Sequence, residues 1–257
     1  MNSTRYNYIK NDGKPVILFL HGFLGSREDW LEIGAALKND FSYLMVDLPW
    51  HGKSAGVSNM KKAASSIVAL LDSLFIKQVY LYGYSLGGRL ALYLTLFYPE
   101  YFKRVILESS SPGLKNQSER QERLAHDEKL AQRLENDALS DFLAFWYAMP
   151  LFKNLVKQKN FPRIYERRLQ NSPNRLAQSL RTLGTGRQPS LWEKLKSNVL
   201  PIRLIVGEFD EKFVQIAREM TAVNNNISLE IVKNSGHTVY AEKPTSVVKT
   251  IQVFFAE

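Results

Sequence analysis

The chain has 257 residues, 45% of them hydrophobic and 12% aromatic, enough for one large core or a core carrying an inserted segment. It contains no cysteine, which excludes disulfides, thiol catalysis and cysteine-ligated metals. Its 34 basic and 25 acidic residues leave a formal charge of +9, but Lys and Arg are dispersed, which argues against nucleic acid as a partner and leaves an anionic small molecule open.

The opening residues Met1 to Tyr6 carry no long apolar run of the signal-peptide kind, and no stretch reaches the roughly 18–20 apolar residues of a membrane span, so the cytoplasm is the expected location. In chain order, short apolar runs predict strands at Val16–Leu20, Tyr43–Val46, Val79–Tyr82, Val105–Leu107, Ile202–Val206 and Leu229–Val232. Helical spacing lies between or after them, over about 27–38, 59–75, 86–97, 211–223 and 244–255. Alternating strand and helix predicts an α/β fold with a mostly parallel sheet covered on both faces, whose ligands gather at the carboxyl ends of the strands. The alternation stops over residues 113–198, a charged, helix-patterned segment bounded by the turn signals Ser111-Pro-Gly113 and Leu200-Pro201. It is too long for a simple connection, so the expected organisation is a core of 1–112 and 199–257 with a helical lid inserted between.

Gly83-Tyr-Ser85-Leu-Gly87 stands where the strand ending at Tyr82 meets the helix beginning at Leu86. This G-x-S-x-G arrangement is a nucleophile elbow: a cramped turn exposes the serine hydroxyl, and the flanking glycines relieve the crowding. The helix that follows places its positive N-terminal end beside any developing anion.

A serine hydroxyl becomes reactive beside a base, and the base needs an acid to orient it. After the strand at 202–206 comes Gly207-Glu-Phe-Asp210, and after the strand at 229–232 comes Asn234-Ser-Gly-His237. The order Ser85, Asp210, His237 is that of a triad on a parallel sheet, with all three at strand ends. Asp210 also reads as a helix N-cap, with Glu208 a competing acid. His21 and His51 lie in early turns that precede the serine, and His126 lies in the inserted segment. The two oxyanion amides are expected from Leu86, which follows the nucleophile, and Phe23, in the loop after the first core strand.

His21-Gly-Phe23, Asp47-Leu-Pro-Trp-His-Gly-Lys-Ser54, Gly83-Tyr-Ser-Leu-Gly-Gly88, Gly207-Glu-Phe-Asp210 and Gly236-His237 together resemble the α/β-hydrolase-fold superfamily over essentially the whole chain. A narrower resemblance rests on Gly83-Tyr-Ser-Leu-Gly-Gly-Arg89, Glu108-Ser-Ser-Ser-Pro-Gly113, Glu119-Arg-x-x-Arg123-x-x-x-Asp127 and Trp146-Tyr-x-x-Pro-x-Phe152. These motifs resemble the 2-succinyl-6-hydroxy-2,4-cyclohexadiene-1-carboxylate synthases, lyases of menaquinone synthesis that eliminate pyruvate without metal or cofactor. The resemblance implies substrate carboxylates on Arg89, Arg123 and Arg168 (Arg167 being adjacent) and substrate contacts at Tyr84 and Trp146. Met149 departs from the family's pattern, which more often has a polar residue before the proline, and predicts a looser lid contact there.

An arginine's planar fork matches a carboxylate, which explains Arg89 four residues beyond the serine; the alternative is a solvated or salt-bridged side chain. Three functions follow. In the lyase, Ser85 is a base that removes a proton alpha to a carbonyl. In a hydrolase of esters or vinylogous C–C bonds it is a covalent nucleophile. A non-catalytic ligand receptor on the same fold is the third, and an intact triad argues against it.

Overall fold

The computed structural model describes residues 4–256; residues 1–3 and 257, at the outer ends of the two expected core segments, lie outside the described residues. The strands are β1 (Tyr6–Ile9), β2 (Val16–Leu20), β3 (Ser42–Val46), β4 (Val79–Tyr84), β5 (Phe102–Glu108), β6 (Ile202–Gly207) and β7 (Ile227–Val232). They form one sheet in the order β1-β3-β2-β4-β5-β6-β7, parallel throughout except for the antiparallel pairing of β1 with β3.

Side chains alternate across each strand, and the core divides accordingly. Ile17, Phe19 and Tyr82 enter one apolar cluster, whereas Leu18, Leu20 and Leu81 enter the other. Helix α1 (Leu31–Leu37) packs on the first face, and α2 (Met60–Ser73) and α3 (Leu86–Phe97) pack on the second. Between β5 and β6 lie α4 (Gln117–Asn136), α5 (Leu139–Tyr147), α6 (Phe161–Arg168), α7 (Pro173–Leu183) and α8 (Trp192–Leu195), with no strand among them. The chain closes with α9 (Glu211–Val223) on the second face, the short α10 (Val239–Glu242), and α11 (Pro244–Ala256) on the first. Among the described residues no helix is long and apolar enough to cross a membrane.

The predicted strands and helices are present with adjusted ends. The helix expected over about 27–38 is divided, a 3-10 turn at Arg27–Trp30 leading into α1. The 3-10 turn opens with a capping box between Ser26 and Asp29, and it buries Asp29 and Trp30. Strand β1 and helix α10 were not expected. β1 is a partly exposed edge strand of four residues without a clean apolar alternation.

Candidate active site

The parallel strands end at one edge, and the turns that follow β2, β4, β6 and β7 meet there. At the elbow, Ser85 adopts φ 50°, a left-handed conformation that L-residues rarely hold. Two ties fix it: Ser85 N–H donates to Glu108 O at 2.9 Å, and Arg89 N–H donates to Ser85 O at 2.9 Å. The flanking glycines are needed for close approach. A Cβ at Gly83 would meet Gly87 O at 2.5 Å, and one at Gly87 would collide with the carbonyl oxygen of Leu20.

His237 is buried, its Nδ1 2.6 Å from Asp210 Oδ2 and its Nε2 3.3 Å from Ser85 Oγ. A carboxylate only accepts, so Nδ1 carries the proton and the Nε2 lone pair faces the serine hydroxyl. Of the two acids, Asp210 and not Glu208 lies beside His237. Asp210 stands at the N-terminus of α9, but its side chain makes no capping bond there, and Glu208 is exposed and accepts the amide of Asn234 at 2.9 Å. His126 is exposed on α4, and His21 and His51 are buried side by side, ring centroids 5.0 Å apart. Burial pulls His21 down to about 4 and His51 to about 3, so both rings are neutral near pH 7.

Leu86 opens α3, where a backbone N–H has no intrahelical acceptor. The Phe23 amide likewise has no acceptor among the described residues. Both residues line, with Ser85 and His237, a cavity of about 780 Å³. Trp146 reaches the same cavity, its ring 5.3 Å from that of Phe23. Tyr84 also lines it; its hydroxyl is 2.9 Å from Thr238 Oγ1 and its ring 5.5 Å from the His237 ring. Met149 is not in the cavity wall; it packs against the apolar core.

The three arginines all line this cavity but stand in different electrostatic settings. Arg89 is half-buried and donates only to neutral acceptors, Leu183 O at 2.9 Å and Gln188 Oε1 at 3.2 Å. Burial, then the neighbouring charge of Arg123, pulls it down to about 9, with Asp127 opposing. Arg123 Nε donates to Asp127 Oδ1 at 2.7 Å, one turn along α4. Arg168 is buried and engages Asp29 through both terminal nitrogens, at 2.8 and 2.7 Å, while its Nε has no partner among the described residues. Arg167 also reaches Asp29, at 3.2 Å, but is not part of the cavity wall. Among the described residues no group of three or more His, Asp and Glu side chains is placed to hold a metal ion.

Several acids that shape the site were given no role by the sequence, although Glu108 opens one of the family motifs. Glu242, on α10, accepts from Gly236 N–H at 2.6 Å and Thr238 N–H at 3.1 Å, bracketing His237 with a single carboxylate. Glu108, fully buried at the end of β5, accepts from the Tyr82 hydroxyl and from Tyr240 N–H at 3.1 Å. Asp29 anchors Arg168. Read along the chain, each is one acid among 25, and only the amides and cations that converge on it distinguish it.

A seven-stranded, mostly parallel sheet with a serine elbow and a Ser-His-Asp array at its carboxyl edge defines the alpha/beta hydrolase fold, and the profile of that family matches residues 15–244. A Bacillus subtilis (strain 168) protein, provisionally named a 2-succinyl-6-hydroxy-2,4-cyclohexadiene-1-carboxylate synthase, is 38% identical over 95% of this chain and 91% of its own. The synthase of that name from Enterobacter sp. (strain 638) is 32% identical over 91% of this chain and 89% of its own. The structure of MenH from S. aureus superimposes with a TM-score of 0.93 at 30% identity, covering 100% of this chain and 98% of that one. The chain belongs to the 2-succinyl-6-hydroxy-2,4-cyclohexadiene-1-carboxylate synthase family.

Proposed function

We propose that the protein is a lyase that eliminates pyruvate from 2-succinyl-5-enolpyruvyl-6-hydroxy-3-cyclohexene-1-carboxylate, giving 2-succinyl-6-hydroxy-2,4-cyclohexadiene-1-carboxylate in menaquinone biosynthesis. The observation that carries this reading is Arg89: a cation one helical turn from Ser85, in the cavity wall, with only neutral hydrogen-bond acceptors. A neutral ester gives such a group no partner, whereas a polycarboxylate does.

Ser85 Oγ takes the ring proton alpha to the succinyl carbonyl as its own proton passes to His237 Nε2, with Asp210 holding the Nδ1–H tautomer. The freed electron pair moves through the ring alkene, the bond to the enolpyruvyl oxygen breaks, and the departing enolate is protonated on carbon to give pyruvate. Negative charge gathers on the succinyl oxygen during this step, and the N–H groups of Phe23 and Leu86 are the donors for it. Arg89 and Arg123 take carboxylates, and Arg168, anchored by Asp29, offers its remaining Nε edge. Tyr84 and Trp146 complete the substrate wall. Residues 113–198 serve as a lid over a core made of 1–112 and 199–257, excluding water from an intermediate that water would intercept. The substrate is an anionic small molecule, the location is cytoplasmic, and the reaction draws on no cofactor.

Ser85→Ala tests the assignment. The half-buried side chain faces the cavity rather than the apolar core, so its removal leaves the fold intact, and pyruvate release should fall by about a thousand-fold or more. Turnover within a few-fold of wild type would remove Ser85 from the mechanism.

A further inference from the structure

The amide of Phe23 is useful as an oxyanion donor only if it points steadily into the cavity, and the turn that carries it is strained. Residues Gly22 to Gly25 form a tight turn closed by Gly25 N–H donating to Gly22 O at 3.0 Å. Its third residue, Leu24, holds φ 67°, a conformation that costs a non-glycine residue on the order of 1 kcal/mol or more. Such a turn persists only when its surroundings over-determine it.

His21 supplies that constraint. Its ring is fully buried and bonded at both nitrogens: Nε2 is 2.9 Å from the Leu48 amide, and Nδ1 is 2.7 Å from Gly22 O. An amide N–H only donates and a carbonyl only accepts, so Nε2 is the acceptor and Nδ1 carries the hydrogen. Burial, which pulls this histidine down to about 4, keeps that neutral tautomer in place through the neutral pH range. His51 packs edge-on against the same ring, and Asn171 Nδ2 donates to Leu24 O at 2.9 Å from the other side of the turn.

Gly22 C=O and Phe23 N–H belong to one planar trans peptide and point in opposite directions. Fixing the carbonyl therefore aims the amide, and donation to the carbonyl polarises the peptide so that its N–H becomes the better donor. We infer that His21 is a positioning residue for the oxyanion site, acting through its Nδ1–H bond to Gly22 O on the Phe23 amide. The inference rests on the reading above that negative charge develops beside Phe23.

Two amide substitutions separate the two ring contacts. In His21→Asn the side-chain nitrogen occupies the place of Nδ1 and keeps the bond to Gly22 O while losing that to Leu48. In His21→Gln the side-chain oxygen occupies the place of Nε2 and keeps the Leu48 bond while losing that to Gly22. Each variant loses one buried hydrogen bond, so their melting temperatures should be similar. His21→Gln should lose about ten- to a hundred-fold in kcat with little change in KM, and His21→Asn should remain within about three-fold of wild type. Without substrate, the NMR order parameter of the Phe23 N–H should stay near the rigid value of about 0.85 in wild type and His21→Asn, and fall toward about 0.6 in His21→Gln. Equal kcat losses in the two folded variants, or a wild-type order parameter in His21→Gln, would overturn the role. A wild type that releases no pyruvate would instead refute the reaction, and the order parameters would still decide what His21 does.

Discussion

At the scale of single residues, the site sorts its cations by what already neutralises them. Arg168 and Asp29 form a buried, two-point ion pair, and truncating either strands the other's charge at a cost of about 3–5 kcal/mol. Lost activity in Arg168→Ala would thus report folding as much as substrate contact. Arg89 has no carboxylate partner among the described residues, so its variants are the cleaner probe. A charge-assisted hydrogen bond is worth about 1.5–3 kcal/mol, so Arg89→Ala should lower kcat/KM for the tricarboxylate by about ten- to a hundred-fold. Turnover of a small neutral ester should change far less, and equal losses on both would make Arg89 structural. That Ser85, Asp210 and His237 would meet at one sheet edge was legible in the sequence because each follows a recognisable strand and turn. The roles of Asp29, Glu108 and Glu242 were not, because a buried acid is defined by which amides and cations reach it through the fold.

At the scale of elements, two of these acids, Glu242 and Glu108, explain how separate pieces of chain are held at one edge. Glu242 ties α10 to the His237 turn, and Glu108 ties the end of β5 to the start of α10 and, through its own carbonyl, to Ser85. Helix α10 was invisible in the sequence because four residues carry no periodicity; its Val239, Tyr240 and Ala241 are buried in the apolar core, and these carboxylates fix its start. The longer helices of the core were legible, and α3 and α9 have the bounds that their spacing predicts, whereas the inserted segment was read only as helical in pattern. Burial pushes Glu108 up to about 8 from an ordinary 4.5. The folded protein therefore keeps a proton that the unfolded chain releases, a contribution fully present below pH 4.5 and lost as the pH rises through about 8. Glu108→Gln removes that titration. Relative to wild type, its unfolding free energy should rise by a few kcal/mol between about pH 5 and pH 9 in denaturant titrations. Parallel pH profiles for the two proteins would show that Glu108 ionises in the folded state as it does in the unfolded one.

At the scale of the whole molecule, a basic chain presents a cation-lined cavity at the carboxyl edge of its sheet, beneath helices that supply Arg123, Trp146 and Arg168. Lys115 and Lys212 also line the cavity; Lys115 is paired to Glu219 at 2.5 Å, whereas Lys212 has no carboxylate partner among the described residues. Such a field raises the encounter rate of a polyanion and offers nothing to a neutral one. The superfamily fold and the family motifs could be read from the sequence, yet the fold alone serves acylation and proton abstraction equally. What separates them is whether Ser85 ever bonds to substrate. The direct measurement follows pyruvate release from the tricarboxylate in a coupled assay while intact-protein mass spectrometry samples the enzyme during turnover. One pyruvate should form per diene, and the protein mass should stay unmodified throughout. A covalent adduct on Ser85 with this substrate, or turnover without pyruvate, would contradict proton abstraction by Ser85.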